Sequence, residues 1–221
     1  MYRVAAPQRY TASRLCRRGR LQPGRVPGRA GLRSSAASTV TGLNPDSQQG
    51  DKVILDILKR CGGKFKPVEG GLHFDRSLLK ATEIDLADCP DLGPILFTLG
   101  CFCSGETVIR NAGRLRLKES DRIEAMQTEL RKMGARIEVD GDTVHIQGVA
   151  LHAPNAPLSG HNDHRIVMAL AVAAIASGLP ALLCGAEAVD KSWPAFWSVL
   201  RGLGAKVELN TDKQEEFDIK A

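Results

Sequence analysis

This sequence of 221 residues lacks the features typical of membrane-spanning and disulfide-rich proteins. Its longest apolar run, Ile166 to Ile175, is too short for a membrane span, which needs about 18 residues. Its six cysteines include no CxxC pair and no disulfide-rich spacing, which favours buried free thiols in a reducing compartment over a redox or metal role. These absences predict a cytoplasmic protein that makes no contact with a membrane.

Acidic residues and lysine are both missing from residues 1–38, which contain nine arginines among scattered glycine and proline. The whole chain has a formal net charge of +5, so the remainder is mildly acidic, at about −4. Such a segment cannot bury enough apolar surface to offset the entropy of ordering. We therefore expect residues 1–38 to be disordered and dispensable. Their composition is typical of a GC-rich gene read in a wrong frame, and an organellar transit peptide is the alternative origin.

A repeat of about 70 residues organises the rest of the chain. Its markers are LKRCGGKF, LRKMGARI and LRGLGAKV, which contain Gly62, Gly134 and Gly204. Each marker ends an amphipathic helix with a glycine and then begins a strand. After the middle marker, ARIEVDGDTVHIQ predicts a hairpin with Asp140-Gly141 at its turn.

A second, almost wholly apolar helix alternates with the amphipathic one. It is predicted at residues 91–104 and 163–177, and in each case an aspartate, Asp91 or Asp163, is placed to serve as the N-cap. A helix that is apolar on every side must be buried. The amphipathic helices are predicted at residues 50–61, 119–133 and 193–203. The alternation predicts a pseudo-symmetric α/β fold.

The most charged stretch, RLRLKESDR at residues 114–122, lies where an amphipathic helix is predicted to begin. Glu119 and Asp121 suit this position because the helix dipole favours negative charge at an N-terminus. The same dipole disfavours the arginines and the lysine of the stretch. An anion bound among these charges would resolve the conflict, so the stretch predicts an anion-binding site.

Three stretches in order, RLRLKESDRIEAMQTELRKMGA, NDHRIVMALAVAA and DKSWPAFWSVLRGLGA, resemble the 5-enolpyruvylshikimate-3-phosphate synthase family. The resemblance runs from about Thr39 to Leu209 and implies a partial enolpyruvyl transferase domain at residues 39–221. It implies an α/β fold of repeated βαβαββ units, the inside-out α/β barrel, here incomplete. The family transfers the enolpyruvyl group of phosphoenolpyruvate to the 5-hydroxyl of shikimate 3-phosphate, releases phosphate, and needs no metal or other cofactor.

The resemblance implies two catalytic carboxylates. Asp91 matches the aspartate that contacts the sugar hydroxyls and accepts a proton from one of them. Glu119 would exchange a proton with the methylene carbon of phosphoenolpyruvate. Alternatively, Asp91 and Asp163 serve only as helix N-caps and have no part in the reaction.

The resemblance also implies five substrate-binding residues, Lys118, Arg122, His164, Arg165 and Lys191. Both substrates are polyanions, and planar guanidinium groups bind carboxylate and phosphate bidentately. Arg122, Arg165 and Lys191 would hold phosphoenolpyruvate, and Lys118 would help to hold shikimate 3-phosphate. The pair His161 and His164 has a spacing that could bind a metal, but no third ligand is evident, so no metal site is predicted.

The favoured prediction is therefore a transferase of the shikimate pathway, which leads to chorismate and the aromatic amino acids. Its partners are the two substrates, without nucleic acid, and the full-length form is expected to be a monomer. The other domain of the family is not recognisable, so the chain is expected to be a fragment that is inactive alone. Two alternatives remain: a UDP-N-acetylglucosamine enolpyruvyl transferase, against which LKESDR argues, and a protein whose basic arm binds nucleic acid.

Overall fold

The computed structural model describes the backbone of residues 2–4, 14–16 and 209 and the complete structure of residues 38–42 and 49–208. Its helices are α1 (Ile54–Arg60), α2 (Gly93–Cys101), α3 (Arg122–Arg131), α4 (His164–Ser177) and α5 (Phe196–Gly202). Its strands are β1 (Tyr2–Val4), β2 (Arg14–Cys16), β3 (Ser38–Thr41), β4 (Lys64–Val68), β5 (Gly71–Asp75), β6 (Glu83–Asp85), β7 (Glu106–Arg110), β8 (Arg136–Asp140), β9 (Thr143–Gln147), β10 (Leu158–Ser159), β11 (Ala181–Cys184) and β12 (Val207–Leu209). All five predicted helices are present, and they begin between one and four residues later than predicted.

The strands form three four-stranded sheets that share one topology. Their strand orders are β2-β3-β5-β4, β6-β7-β9-β8 and β10-β11-β1-β12. In each sheet the first two strands are parallel and the other neighbours are antiparallel. The middle sheet belongs to one continuous βαβαββ unit, from β6 through α2, β7 and α3 to β8 and β9. The predicted repeat is therefore visible as three equivalent sheets.

The third sheet differs from the other two in where one strand comes from. In the first two sheets a hairpin supplies the last two strands, whereas in the third β1 takes the inner place between β11 and β12. Both β1 and β2 lie within residues 1–38, for which the composition predicts disorder. These strands can still form, because the main-chain hydrogen bonds of a sheet do not depend on the side chains. The rest of that segment up to residue 37 lies outside the described residues.

The apolar helices α2 and α4 form the centre of the core, as their composition predicts. Eight residues of α2 and ten of α4 are buried, so neither helix presents a polar face. Thr98 of α2, itself fully buried, donates a hydrogen bond from Oγ1 to the main-chain oxygen of Ala169 in α4 at 3.2 Å. In the part of the chain that the structure describes, no helix combines the length and apolarity needed to span a membrane.

The glycines that mark the repeat sit where the helices end. Gly62, Gly134 and Gly204 follow α1, α3 and α5 with φ angles of 81°, 85° and 92°, a left-handed conformation that glycine adopts without strain. The predicted hairpin is formed by β8 and β9. Its two-residue turn is Gly141-Asp142, one residue later than predicted, because Asp140 still pairs with Thr143.

Candidate functional site

The N-terminal ends of α2, α3 and α4 meet at one edge of the core, and charged side chains lie at this junction. Asp91 lies in the 3-10 turn Pro90–Leu92 just before α2, Arg122 begins α3, and Arg165 is the second residue of α4. Arg122 Nη1 lies 3.2 Å from Asp91 Oδ1, and Arg165 Nη2 lies 2.8 Å from Asp91 Oδ2. Helix packing thus brings together residues that are far apart in the sequence.

Asp91 is the centre of a cluster of cations. In addition to the two arginines, Lys118 Nζ lies 3.3 Å from Asp91 Oδ1, and Arg165 Nη1 donates to the main-chain oxygen of Asp91 at 3.0 Å. Burial raises the pKa of Asp91, but the charges of Arg165, Lys118 and Arg122 outweigh it and hold that pKa below its ordinary value. Asp91 is therefore ionised at neutral pH.

The expectation that Asp91 caps α2 is wrong. The residue at the N-cap is Leu92, whose side chain accepts no hydrogen bond from the first turn of the helix. The side chain of Asp91 points instead to the cations of α3 and α4. Three charged donors stabilise a carboxylate more than one main-chain N–H does, which is the physical reason for the difference.

Asp163 does serve as an N-cap, and it also pairs with Arg122. Asp163 Oδ1 accepts a hydrogen bond from the main-chain N–H of Arg165 at 2.9 Å, as the sequence predicts. Arg122 Nε donates to Oδ2 at 2.7 Å and Arg122 Nη2 donates to Oδ1 at 3.3 Å, so the pair is bidentate. Burial raises the pKa of Asp163, but the hydrogen bond and the charge of Arg122 lower that pKa by more. The pKa therefore lies below its ordinary value, and Asp163 remains ionised. Both side chains are buried.

Glu119 lies beside the cluster between a histidine and a lysine. His164 Nδ1 is 3.1 Å from Glu119 Oε1, and Lys191 Nζ is 3.7 Å from Glu119 Oε2. Lys191 Nζ also donates to the main-chain oxygen and to Oδ1 of Asn162, at 2.6 and 3.0 Å. Since the side chain of Glu119 is 39% exposed, a ligand can reach it.

The remaining arginines of the stretch 114–122 are held away from Asp91. Arg114 Nη1 donates to the main-chain oxygen of Ala87 at 3.1 Å, and Arg116 Nη1 lies 3.2 Å from Asp121 Oδ2. Asp121 is the N-cap of α3, since its Oδ1 accepts from the first N–H groups of the helix. The expected anion site therefore uses only Lys118 and Arg122 from this stretch.

The two histidines considered for a metal have different partners. His161 Nε2 lies 3.1 Å from Glu129 Oε1, whereas His164 contacts Glu119. Among the described residues, ligand atoms of Glu119, Asp163 and His164 do lie within 4.8 Å of one another, a spacing that a metal ion could bridge. Arg122 already donates to both carboxylate oxygens of Asp163, which supplies the positive charge a metal would bring.

All seven residues that the resemblance implies lie together at this junction: Asp91, Lys118, Glu119, Arg122, His164, Arg165 and Lys191. Sequence reasoning did not assign Ser120 and Asn162 to the site. Ser120 Oγ donates to Asp163 Oδ2 at 3.2 Å, and Asn162 binds Lys191. The available signal was their position, since each lies inside one of the two charged motifs, KESDR or NDHR.

Comparison of the sequence with known families gives a match over residues 31–200 to the family described as EPSP synthase (3-phosphoshikimate 1-carboxyvinyltransferase). The 3-phosphoshikimate 1-carboxyvinyltransferase of Clostridium acetobutylicum is 45% identical over 165 residues, which is 75% of this chain and 38% of that protein. The enzyme of the same name from Methanocaldococcus jannaschii is 39% identical over 181 residues, which is 81% of this chain and 42% of that protein. The chain thus spans about two fifths of the length of these relatives.

Solved structures agree with the fold. The structure of EPSP synthase from Acinetobacter baumannii superposes with a TM-score of 0.72 at 23% identity, covering 84% of this chain and 46% of that one. The enolpyruvyl transferase NikO from Streptomyces tendae superposes with a TM-score of 0.70 at 21% identity, covering 86% of this chain and 44% of that one. These likenesses confirm the predicted α/β fold of the enolpyruvyl transferases.

Proposed function

Because this chain belongs to the EPSP synthase (3-phosphoshikimate 1-carboxyvinyltransferase) family, we propose that its charged cluster binds phosphoenolpyruvate for enolpyruvyl transfer to shikimate 3-phosphate. The observation that carries the proposal is the convergence of Lys118, Arg122 and Arg165 on a single carboxylate, that of Asp91. Donors arranged to bind one carboxylate also suit the carboxylate or phosphate of phosphoenolpyruvate. Lys191, whose side chain is 43% exposed, adds a further cation beside Glu119.

The two carboxylates suit the two proton transfers of the reaction. In the addition step, the 5-hydroxyl oxygen bonds to the central carbon of phosphoenolpyruvate, Asp91 accepts the hydroxyl proton, and Glu119 delivers a proton to the methylene carbon. In the elimination step, the bond from that central carbon to the phosphate oxygen breaks. The new methyl group returns a proton to Glu119, and the released phosphate takes up the proton that Asp91 accepted from the hydroxyl. Asp91 is held ionised by its cations, as a base must be.

Binding of phosphoenolpyruvate by the 221-residue chain, measured by calorimetry, tests this proposal. We expect weak binding that is abolished in Arg122→Ala and weakened in Lys191→Met, whose exposed side chain can be changed without disturbing the core. Arg136→Ala is the matched control, because Arg136 is an exposed arginine at the start of β8. Absence of binding by the unsubstituted chain, or equal binding by the three variants, would contradict the proposal.

The proposed setting is the cytoplasm. The sequence has no CxxC pair and no disulfide-rich cysteine spacing, and Cys61, Cys89, Cys101 and Cys103 are buried. Such cysteine usage is typical of a reducing compartment. Chorismate and aromatic amino-acid synthesis would be the pathway that uses the product.

A further inference from the structure

Glu129 is a buried carboxylate that the proposed reaction does not use. It lies on α3 and is only 1% exposed. Lys132 Nζ donates to both of its oxygens, at 3.0 and 2.8 Å, and the main-chain N–H of Ser159 donates to Oε2 at 2.8 Å. His161 Nε2 lies 3.1 Å from Oε1. Two of these partners, Ser159 and His161, belong to the segment that leads into α4.

The position of Glu129 on α3 relates it to the candidate site. Glu129 lies seven residues after Arg122, which places both on the same face of the helix about two turns apart. Arg122 binds Asp163, and Glu129 binds Ser159 and His161. One face of α3 therefore holds the segment 159–163 at both of its ends.

Between these two anchors the backbone takes an unusual conformation. His161 and Asn162 have φ angles of 48° and 52°, in the left-handed region. Two consecutive residues with side chains adopt this conformation only where the surrounding structure holds them. Glu129 contacts Ser159, just before this turn, and His161, its first residue. Lys191 contacts Asn162, its second residue.

We infer that Glu129 is a positioning residue that fixes the left-handed turn so that Asn162 and Asp163 hold Lys191 and Arg122 in anion-binding geometry. The inference rests on the proposed function, because it concerns the cations that would bind phosphoenolpyruvate. Glu129 acts through the turn and does not touch the ligand. It therefore sets affinity by way of Lys191 and Arg122.

Substitution of Glu129 by glutamine tests the inference in the 221-residue chain. The side chain keeps its size, but its amide NH₂ now faces donors at Lys132, Ser159 or His161. We expect phosphoenolpyruvate affinity to fall about tenfold, the equivalent of one hydrogen bond to a charged group. Glu124→Gln is the matched control, because Glu124 is on the same helix, undergoes the same charge change and is exposed. Its affinity should equal that of the unsubstituted chain.

A second pair of variants changes the turn while leaving the buried carboxylate in place. His161→Ala and His161→Gly both remove the ring that contacts Glu129, but only glycine adopts a positive φ without strain. We expect phosphoenolpyruvate affinity to fall in H161A and to stay near normal in H161G. In the double variant E129Q/H161G, glycine should recover part of the affinity lost in E129Q. A role of Glu129 in core stability alone would give no such recovery.

The outcomes separate this inference from the proposed function. Equal affinity of E129Q and E124Q, or equal affinity of H161A and H161G, would overturn the positioning role and leave phosphoenolpyruvate binding standing. Should E129Q fail to fold, Glu129→Asp replaces it, because aspartate keeps the charge but moves the carboxylate away from Ser159 and His161, and its affinity should fall relative to that of Glu124→Asp. Absence of phosphoenolpyruvate binding by the unsubstituted chain would overturn the proposed function, and the positioning role with it.

Discussion

At Asp91, three cations hold below its ordinary value a pKa that burial alone would raise. Lys118, Arg122 and Arg165 all contact the Asp91 carboxylate, and its side chain is still 36% exposed. An incoming anion must therefore compete with this carboxylate for the same donors. Without a ligand, Asp91 satisfies the cations and keeps them in place.

Replacing Asp91 by asparagine should strengthen the binding of inorganic phosphate. The change removes the competing negative charge, and a partly exposed ion pair is worth about 1 kcal/mol, or roughly fivefold in affinity. Calorimetric titration at low salt measures the effect, with Asp56→Asn on the exposed face of α1 as the control. Weaker phosphate binding by D91N than by D56N would contradict the competition.

Replacing Asp163 by asparagine should lower the free energy of unfolding by about 3 kcal/mol at neutral pH, because the buried Arg122 would lose its bidentate counter-ion and keep only the partly exposed Asp91. The pKa of Asp163 in the folded state lies below the ordinary value of 3.8. Its contribution to stability is therefore complete above that ordinary value and is lost as the pH falls through the folded-state pKa. Urea unfolding at pH 7 and at pH 3 should show that D163N loses less stability on acidification than the unsubstituted chain does. Equal losses would show that Asp163 does not carry this dependence.

At the scale of elements, apolar content predicted which helices are buried but not where they begin. α2 starts at Gly93, because Pro90–Leu92 form a 3-10 turn and the side chain of Asp91 is drawn to cations. Capping preference is a local property, and here a tertiary contact overrides it. The sequence pattern could not reveal β1 either, because residues 1–38 show neither strand periodicity nor a partner in their own neighbourhood.

The placement of β1 leads to a prediction about the first four residues, which the sequence alone marked as dispensable. Tyr2–Val4 pair on one side with residues 181–183 and on the other with Val207–Leu209. Deleting residues 1–4 would leave β12 without its strand partner and β11 paired with β10 alone, so we expect the free energy of unfolding to fall by about 2 kcal/mol or more. Urea denaturation measures this loss, and a synthetic peptide of the deleted residues should partly restore it. An unchanged midpoint would show that β1 adds nothing to the sheet.

At the scale of the whole molecule, the repeat predicted the fold, but the site needed the structure. The glycine markers indicated three similar units, and three sheets of one topology are present. The contacts of Asp91 with Arg122 and Arg165 bridge 31 and 74 residues of sequence and depend on how α2, α3 and α4 pack. No local pattern carries that information. The resemblance predicted which residues belong to the site. Only the packing of the helices showed that Asp91 and its cations pair with one another.

Whether the chain can catalyse the reaction depends on how much of its relatives' length it covers. It spans 38% of the length of its relative from Clostridium acetobutylicum, and all the cations placed here lie within residues 31–200, which match the family. Transfer requires both substrates to be held in reacting geometry, and such alignment is worth effective molarities on the order of 10⁵–10⁸ M. We therefore expect the 221-residue chain to bind phosphoenolpyruvate weakly and to release no measurable phosphate from it in the presence of shikimate 3-phosphate.

Supplying the remaining part of that relative as a separate chain tests this expectation. If the cluster is the catalytic half of the site, the mixture should release phosphate from phosphoenolpyruvate when shikimate 3-phosphate is present. Glu119→Gln and Asp91→Asn should each remove that activity, because one loses the acid for the methylene carbon and the other loses the base for the hydroxyl. Arg136→Ala, on an exposed strand end, should leave it unchanged. A normal enzymatic rate from the 221-residue chain by itself would show that the residues described here already suffice to align both substrates.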